Sequence, residues 1–256
     1  MTLAYLYTSA VREFLRFRRL AIWFVIGLAL LGMALVFKNV NQGKPNQDMY
    51  ALLSSILVFR LLPLASAIFS TAVVSQEVEQ KTIVYLLTRP IPRAQLILMR
   101  TLASMTVVAI VTFVGAVLVS GAVYGAGALS NELLWRDVKA IVVGAAAYGA
   151  LFVFVSLLIN RAMIVCLLFA FAWETSVPNM PGSMYYLSIT SYLTAISERP
   201  SGGSGDFLQL LAGSFGQNTL TPGTAFPAML ILIGACVVAS MTWFTKFEYV
   251  PREDAE

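Results

Sequence analysis

Histidine is absent from this sequence, cysteine occurs twice, and only 12% of the residues are charged. Histidine is the commonest general base and metal ligand in proteins, so its absence removes most designs for acid–base or metal chemistry. Cys166 and Cys236 lie in apolar stretches, where a reduced thiol behaves as a small hydrophobic group, so neither a disulfide framework nor a thiolate metal site is predicted. No lysine stands in a G-x-x-x-x-G-K-S/T loop, so the chain is not expected to hold ATP phosphates itself. These absences argue against an enzyme and predict no cofactor or metal in this chain.

Apolar residues make up 59% of the chain, and its mean hydropathy is +0.80, which a soluble globule of this size cannot accommodate. A membrane helix needs about 20 apolar residues. Six stretches come close to that length: 20–37, 51–74, 94–121, 140–159, 162–177 and 225–245. Their apolar character is continuous and does not alternate, which predicts helices and excludes the strands of a membrane barrel. We therefore predict an all-α, polytopic membrane protein, with a single transmembrane domain of six helices over residues 1–256.

The distribution of lysine and arginine predicts the orientation, because basic residues are retained on the cytoplasmic side. Eleven basic residues fall on one side and five on the other. The smaller set is Lys38, Lys44, Arg136, Lys139 and Arg199. Both termini are therefore expected in the cytoplasm, in an inner or plasma membrane. No small-x-small cleavage site follows the first apolar stretch before Lys38, so we expect that stretch to remain as a span.

Residues 1–19 have the pattern of a two-faced helix. One face is apolar, with Leu3, Leu6, Tyr7, Ala10, Phe14 and Phe17, and the other carries Ser9, Arg12, Glu13, Arg16 and Arg19. Such a helix is expected to lie flat among the lipid headgroups. Two interpretations remain open: a basic anchor for the first span, or an elbow helix that touches a cytosolic partner.

Residues 178–224 interrupt the apolar pattern with prolines and with the run Gly202-Gly-Ser-Gly205. Two modestly apolar pieces, 184–196 and 207–215, are too short or too polar to cross a membrane. By parity this segment lies outside. We predict short helices at the outer headgroup level, joined by the flexible Gly/Ser run.

Two ionisable residues fall within the predicted spans, where an unpaired charge costs about 2.5 to 3.5 kcal/mol at the bilayer centre. Arg60 lies in the second span shortly before Pro63, and Glu174 lies late in the fifth span. Their estimated depths agree, so we predict an intramembrane ion pair between Arg60 and Glu174. The alternative is that each side chain extends separately to the interface.

The segment 77–93, between the second and third spans, is dense in charge and turn residues. Ser75 is a candidate helix cap, and Glu77 and Glu79 suit the first turn of a helix, where the helix dipole favours carboxylates. Arg89 suits the other end, and Pro90 and Pro92 prevent the helix from continuing. One face carries Val78, Thr82 and Tyr85. Lipid alone does not require such a polar helix, so this face is predicted to dock on a soluble partner.

This segment resembles the cytosolic coupling helix that joins the second and third spans of type 2 ABC exporter permeases. The shared pattern is a Glu-rich start, a Thr, Leu-Leu with Ser or Thr, then Arg, Pro and a basic residue. In this chain it is Glu77, Glu79, Thr82, Leu86, Leu87, Thr88, Arg89, Pro90 and Arg93. Many relatives have Gly before the Thr, where this chain has Lys81. The elbow, the six spans and the short outer helices extend the resemblance over nearly the whole chain.

The resemblance implies a transmembrane subunit that forms a homodimer or a heterodimer with a related permease and binds two cytosolic ABC ATPase subunits. Those ATPases would bind ATP and Mg²⁺, and their movement would drive substrate outward through this chain. Glu77, Val78, Glu79, Thr82, Tyr85, Thr88 and Arg89 would form the ATPase-coupling site. No nucleic acid is expected as a partner, only protein subunits and membrane lipid. The alternative functions are an ATP-independent channel or secondary carrier, which usually has several buried ionisable groups, and a membrane scaffold subunit.

Overall fold

The computed structural model describes residues 2–15, 17–40, 47–79, 92–159, 161–179, 183–198 and 220–246. In these ranges every regular element is helical and no strand occurs. The predicted all-α fold class is therefore confirmed. The α-helices are α1 (Thr2–Phe14), α2 (Phe17–Val40), α3 (Gln47–Ile56), α4 (Leu62–Glu79), α5 (Arg93–Tyr124), α6 (Glu132–Leu158), α7 (Ala162–Leu168), α8 (Glu174–Ser176), α9 (Ile189–Ile196) and α10 (Pro222–Lys246).

Two π-helical turns and three 3₁₀ turns complete the described chain. One π turn, Leu57–Leu61, joins α3 to α4, and the other, Phe169–Trp173, joins α7 to α8. The 3₁₀ turns are Gly125–Ser130, Val177–Asn179 and Ser183–Leu187. A π turn adds one residue to a helical turn, so it rotates the side chains that follow it by about 100° relative to an unbroken α-helix.

Four helical stretches are long and apolar enough to cross a membrane: Met49–Val73, Arg93–Tyr124, Glu132–Leu158 and Pro222–Lys246. They correspond to the predicted second, third, fourth and sixth spans. Two shorter apolar helical stretches, Ala21–Val36 and Ala162–Ser176, lie where the first and fifth spans were predicted. The chain is thus a multi-pass membrane protein, and the full count of six spans stays a prediction.

The fourth span begins earlier than its apolar residues suggested. Helix α6 starts at Glu132, and the Asn131 side chain accepts a hydrogen bond from the Leu133 amide at 3.1 Å. Arg136 pairs with Glu132 at 2.8 Å within the helix and with Glu198 at 3.0 Å beyond α9. The helix thus starts before the apolar stretch that begins at residue 140, because a cap and an ion pair carry it through a polar first turn.

The core forms two clusters of buried side chains. One lies at the end of the bundle where α6 begins and includes Tyr50, Leu134, Tyr148 and Leu193. The other lies around α1 and the far ends of α5 and α6, and includes the residues Phe14, Trp23, Phe69, Ile97, Val107, Leu157 and Phe244. Helices α4, α5 and α6 contribute to both clusters and form the centre of the bundle.

Helix α1 has the two faces that its sequence predicted. Ala10 and Phe14 are buried, whereas Ser9 and Arg12 are exposed. The Phe14 ring meets Phe69 of α4 edge to face, with 6.5 Å between the ring centroids. The apolar face of α1 therefore packs on the bundle. Its placement among the headgroups stays a prediction.

Candidate functional site

The start of the predicted coupling segment continues helix α4. Backbone helix runs from Leu62 to Glu79, so Glu77, Val78 and Glu79 form the end of α4. Ser75, predicted as the cap of a new helix, lies inside α4, and that prediction was wrong because the second-span helix does not end before it. The remaining predicted coupling residues Thr82, Tyr85, Thr88 and Arg89 lie outside the described residues.

The chain is described again from Pro92, and the predicted third span begins there. Pro92 has an extended ψ of 127° and takes the N-cap position of α5. Its carbonyl accepts hydrogen bonds from the amides of Gln95 at 3.0 Å and Leu96 at 3.2 Å. Proline lacks an amide hydrogen, so it does not leave an unpaired donor at a helix start. A helix therefore starts at Arg93, and the return of the chain into the membrane beyond it stays a prediction.

Arg100 of α5 contacts both α4 and α1. Its Nη1 donates to the Val73 carbonyl of α4 at 3.3 Å, and its Nη2 approaches Glu13 Oε2 of α1 at 3.4 Å. On the same side, the Tyr7 hydroxyl of α1 donates to Thr106 Oγ1 of α5 at 3.0 Å. We name Arg100, Val73 and Glu13 the Arg100 junction. Arg100 is one of the eleven basic residues counted toward orientation, and the sequence analysis predicted neither of these contacts.

The predicted ion pair between Arg60 and Glu174 is not present. Arg60 lies in the π turn Leu57–Leu61, its side chain is exposed, and it forms no ion pair with any described residue. Glu174 is 2% exposed and has other partners. The amide of Glu174 donates to the Phe169 carbonyl, which closes the second π turn. Each π turn changes the direction of the side chains after it, and depth along the sequence cannot report that change.

Glu174 accepts three hydrogen bonds from the start of helix α9. Its Oε2 accepts from Ser188 Oγ at 2.7 Å and from the Thr190 amide at 2.9 Å, and its Oε1 accepts from the Ile189 amide at 3.2 Å. We name this arrangement the Glu174 cap. The Thr190 hydroxyl also lies 3.1 Å from the Tyr148 hydroxyl of α6. A chain of hydrogen bonds therefore connects α6, α9 and α8.

A second buried carboxylate, Asp137 of α6, was missed by the sequence analysis. Its Oδ2 accepts a hydrogen bond from the Tyr50 hydroxyl of α3 at 2.9 Å, and both side chains are almost fully buried. Asp137 follows buried Leu134 by three residues and precedes buried Ile141 by four, so all three share one helix face. That spacing was visible in the sequence. The Tyr50 hydroxyl is thus one partner of Asp137, and it links α3 to α6.

Comparison with known proteins identifies the family. The sequence signature described as ABC-2 family transporter protein matches residues 11–177, which is well over half of the 256 residues. The match includes α4, the Arg100 junction, Asp137 and Glu174. The chain matches no curated protein. This chain therefore belongs to the ABC-2 family of transporter proteins, as a multi-pass membrane component of transport.

Proposed function

We propose that this chain is the permease subunit of an ATP-binding cassette exporter and moves substrate outward when a separate ATPase subunit hydrolyses ATP. The observation that carries the proposal is the family match over residues 11–177, which spans the predicted coupling segment. In this proposal the ATPase binds ATP and Mg²⁺, and this chain contributes no catalytic group. The chain has six spans, both termini in the cytoplasm, and works as a homodimer or a heterodimer with a related permease.

The Arg100 junction supports a mechanical route from the ATPase into the membrane. The segment 80–91 connects α4 to α5, and Arg100 contacts both the α4 backbone at Val73 and Glu13 of α1. A push on this segment therefore reaches three helices together. Helix α5 continues for 32 residues to Tyr124, and α4 packs against α5 and α6. Because packed helices move as rigid bodies, a displacement at one end is transmitted to the other.

The charges of the coupling segment change sign along the chain, which would orient a bound ATPase. Glu77 and Glu79 precede Lys81, Arg89 and Arg93, so the segment presents acidic residues followed by basic ones to the cytosolic side. An ATPase groove with complementary charge would bind such a surface and fix its orientation. The tyrosine at 85 adds an amphipathic side chain of the kind that often dominates binding energy.

The test is whether an ATPase copurifies with the full chain in detergent, and whether changes in the coupling segment abolish that association. We expect Glu77→Lys, Glu79→Lys and Tyr85→Asp to reduce the bound ATPase at least tenfold while the protein still inserts. Glu132→Lys is the control, because it makes the same charge change at the predicted opposite face. Wild-type association in all three coupling variants, or ATP-independent flux through the purified chain, would contradict the proposal and favour a channel, carrier or scaffold.

A further inference from the structure

Helix α9 is capped by a residue from another helix. Ser188 occupies its N-cap position, where a serine normally accepts a hydrogen bond from the helix's own first amides, but Ser188 forms no such bond. Its hydroxyl is instead a donor to Glu174, and Glu174 accepts the amides of Ile189 and Thr190. The capping function has thus been transferred from Ser188 to Glu174. A carboxylate at this position also has a favourable interaction with the helix dipole.

Helix α9 depends on its surroundings, because it has eight residues and isolated helices shorter than about 12 residues are marginal. Ile189, Leu193 and Ile196 are buried, and α9 packs against α6 and α10. At Gly144 of α6 the approach is close: a Cβ atom there would lie 2.9 Å from Leu193 Cδ1 and 3.0 Å from Leu62 Cδ2. Packing therefore seats one side of α9, and the Glu174 cap holds its first turn.

We propose that Glu174 is a positioning residue that keeps α9 seated at the predicted outer end of the bundle, so that α8 and α9 move as one unit when substrate leaves. The reference to substrate exit rests on the proposed exporter function. The cap itself rests on three hydrogen bonds and on the 2% exposure of Glu174. The two oxygens of Glu174 share the three donors that face them, Oε2 with two and Oε1 with one. A glutamine there would keep one acceptor oxygen and turn its amide donor toward either the Ile189 amide or the Ser188–Thr190 pair.

The proposal is tested by the reactivity of a thiol placed on α9. Ser191 is fully buried on α9, and its hydroxyl has no hydrogen-bond partner among the described residues, so Ser191→Cys removes no such bond. The full chain, reconstituted in lipid nanodiscs, is treated with a water-soluble maleimide, and labelling at position 191 is followed by mass spectrometry. Adding Glu174→Gln is expected to raise that labelling rate about tenfold. The substitution leaves a buried donor unpaired, which should increase by about that factor the fraction of molecules in which α9 has left the bundle. Buried Cys166 of α7 is the internal control and should keep its rate.

Two further variants separate hydrogen bonding from packing. Ser188→Ala removes one donor of the cap, and its effect should be much smaller in a Glu174→Leu background than alone, because leucine offers the Ser188 hydroxyl no acceptor. Glu198→Gln is the matched control: it neutralises the carboxylate that pairs with Arg136 just beyond α9, and should change labelling less than twofold. An unchanged rate with Glu174→Gln, an equal rise at Cys166, or strict additivity of Glu174→Leu with Ser188→Ala would overturn the proposal. No ATPase is present in this experiment, so its failure is distinct from a failure of the exporter function.

Discussion

Removal of the Tyr50 hydroxyl is expected to destabilise the bundle through Asp137. Tyr50→Phe keeps the ring, which lies against Tyr124 with 5.4 Å between the centroids, and removes only the donor that reaches Asp137 at 2.9 Å. Loss of a donor to a buried charged group costs about 1–3 kcal/mol in soluble proteins. Hydrogen bonds between membrane helices average about 0.6 kcal/mol and reach about 1.7. The acceptor here is a side chain that is only 1% exposed. We therefore expect the free energy of unfolding to fall by about 1.5 kcal/mol, near the largest value for a hydrogen bond between membrane helices.

The measurement is a double-mutant cycle in the free energy of unfolding, obtained by reversible denaturation in mixed detergent. Tyr50→Phe is combined with Asp137→Ala, and the second change should make the first nearly neutral, because the acceptor is then gone. Tyr5→Phe is the control, since it deletes the same hydroxyl from a side chain that is 69% exposed. A coupling energy below about 0.3 kcal/mol would refute the reasoning, since that is within the additivity expected for independent sites.

Three further predictions concern stability in detergent. Phe14→Ala should lower the melting temperature, because it removes the ring that holds α1 against Phe69. The loss in free energy of unfolding should be smaller than the value of about 3–5 kcal/mol for a soluble core, because lipid solvates the Phe14 ring when α1 leaves the bundle. An unchanged melting temperature would show that α1 does not depend on this contact. Arg136→Leu should lower the melting temperature little more than its control Lys139→Leu despite the two ion pairs of Arg136, since these pairs are partly exposed; a clearly larger drop would mean that the pairs act as a network. The free-energy changes of Arg60→Leu and Glu174→Leu should be additive, and a double variant clearly milder than the sum of the two single changes would reinstate the ion pair.

The sequence was sufficient to predict the helical class and the position of the long spans. A continuous apolar run in a membrane can pair its backbone polar groups only by forming a helix. Four of the runs accordingly form long helices at the predicted places. Helix ends were harder to predict, because they depend on particular caps. Asn131 and the Arg136 pairs begin α6 before its apolar residues start, and α4 continues past Ser75.

The polar contacts inside the bundle were predicted least well, for a physical reason. Residue depth can be counted along a helix, but the direction of a side chain depends on every turn before it. The π turn Phe169–Trp173 stands immediately before Glu174, and no hydropathy pattern reports it. Asp137 is different, because its spacing from Leu134 and Ile141 already placed it on a buried face. Asp137 was not predicted because it precedes the apolar stretch 140–159, and only charged residues inside such stretches were considered.

The Glu174 cap also constrains the order in which the protein is assembled during synthesis. Helix α9 is too short to be stable by itself, and its first amides need a carboxylate that emerges from the ribosome before it. Helix α10, which packs against α9, is made after it. We therefore expect residues 189–196 to be held fully only once α10 has joined the bundle, as a late step of biogenesis. Truncation before Pro222 should accordingly leave this stretch unfolded and open to cellular proteases.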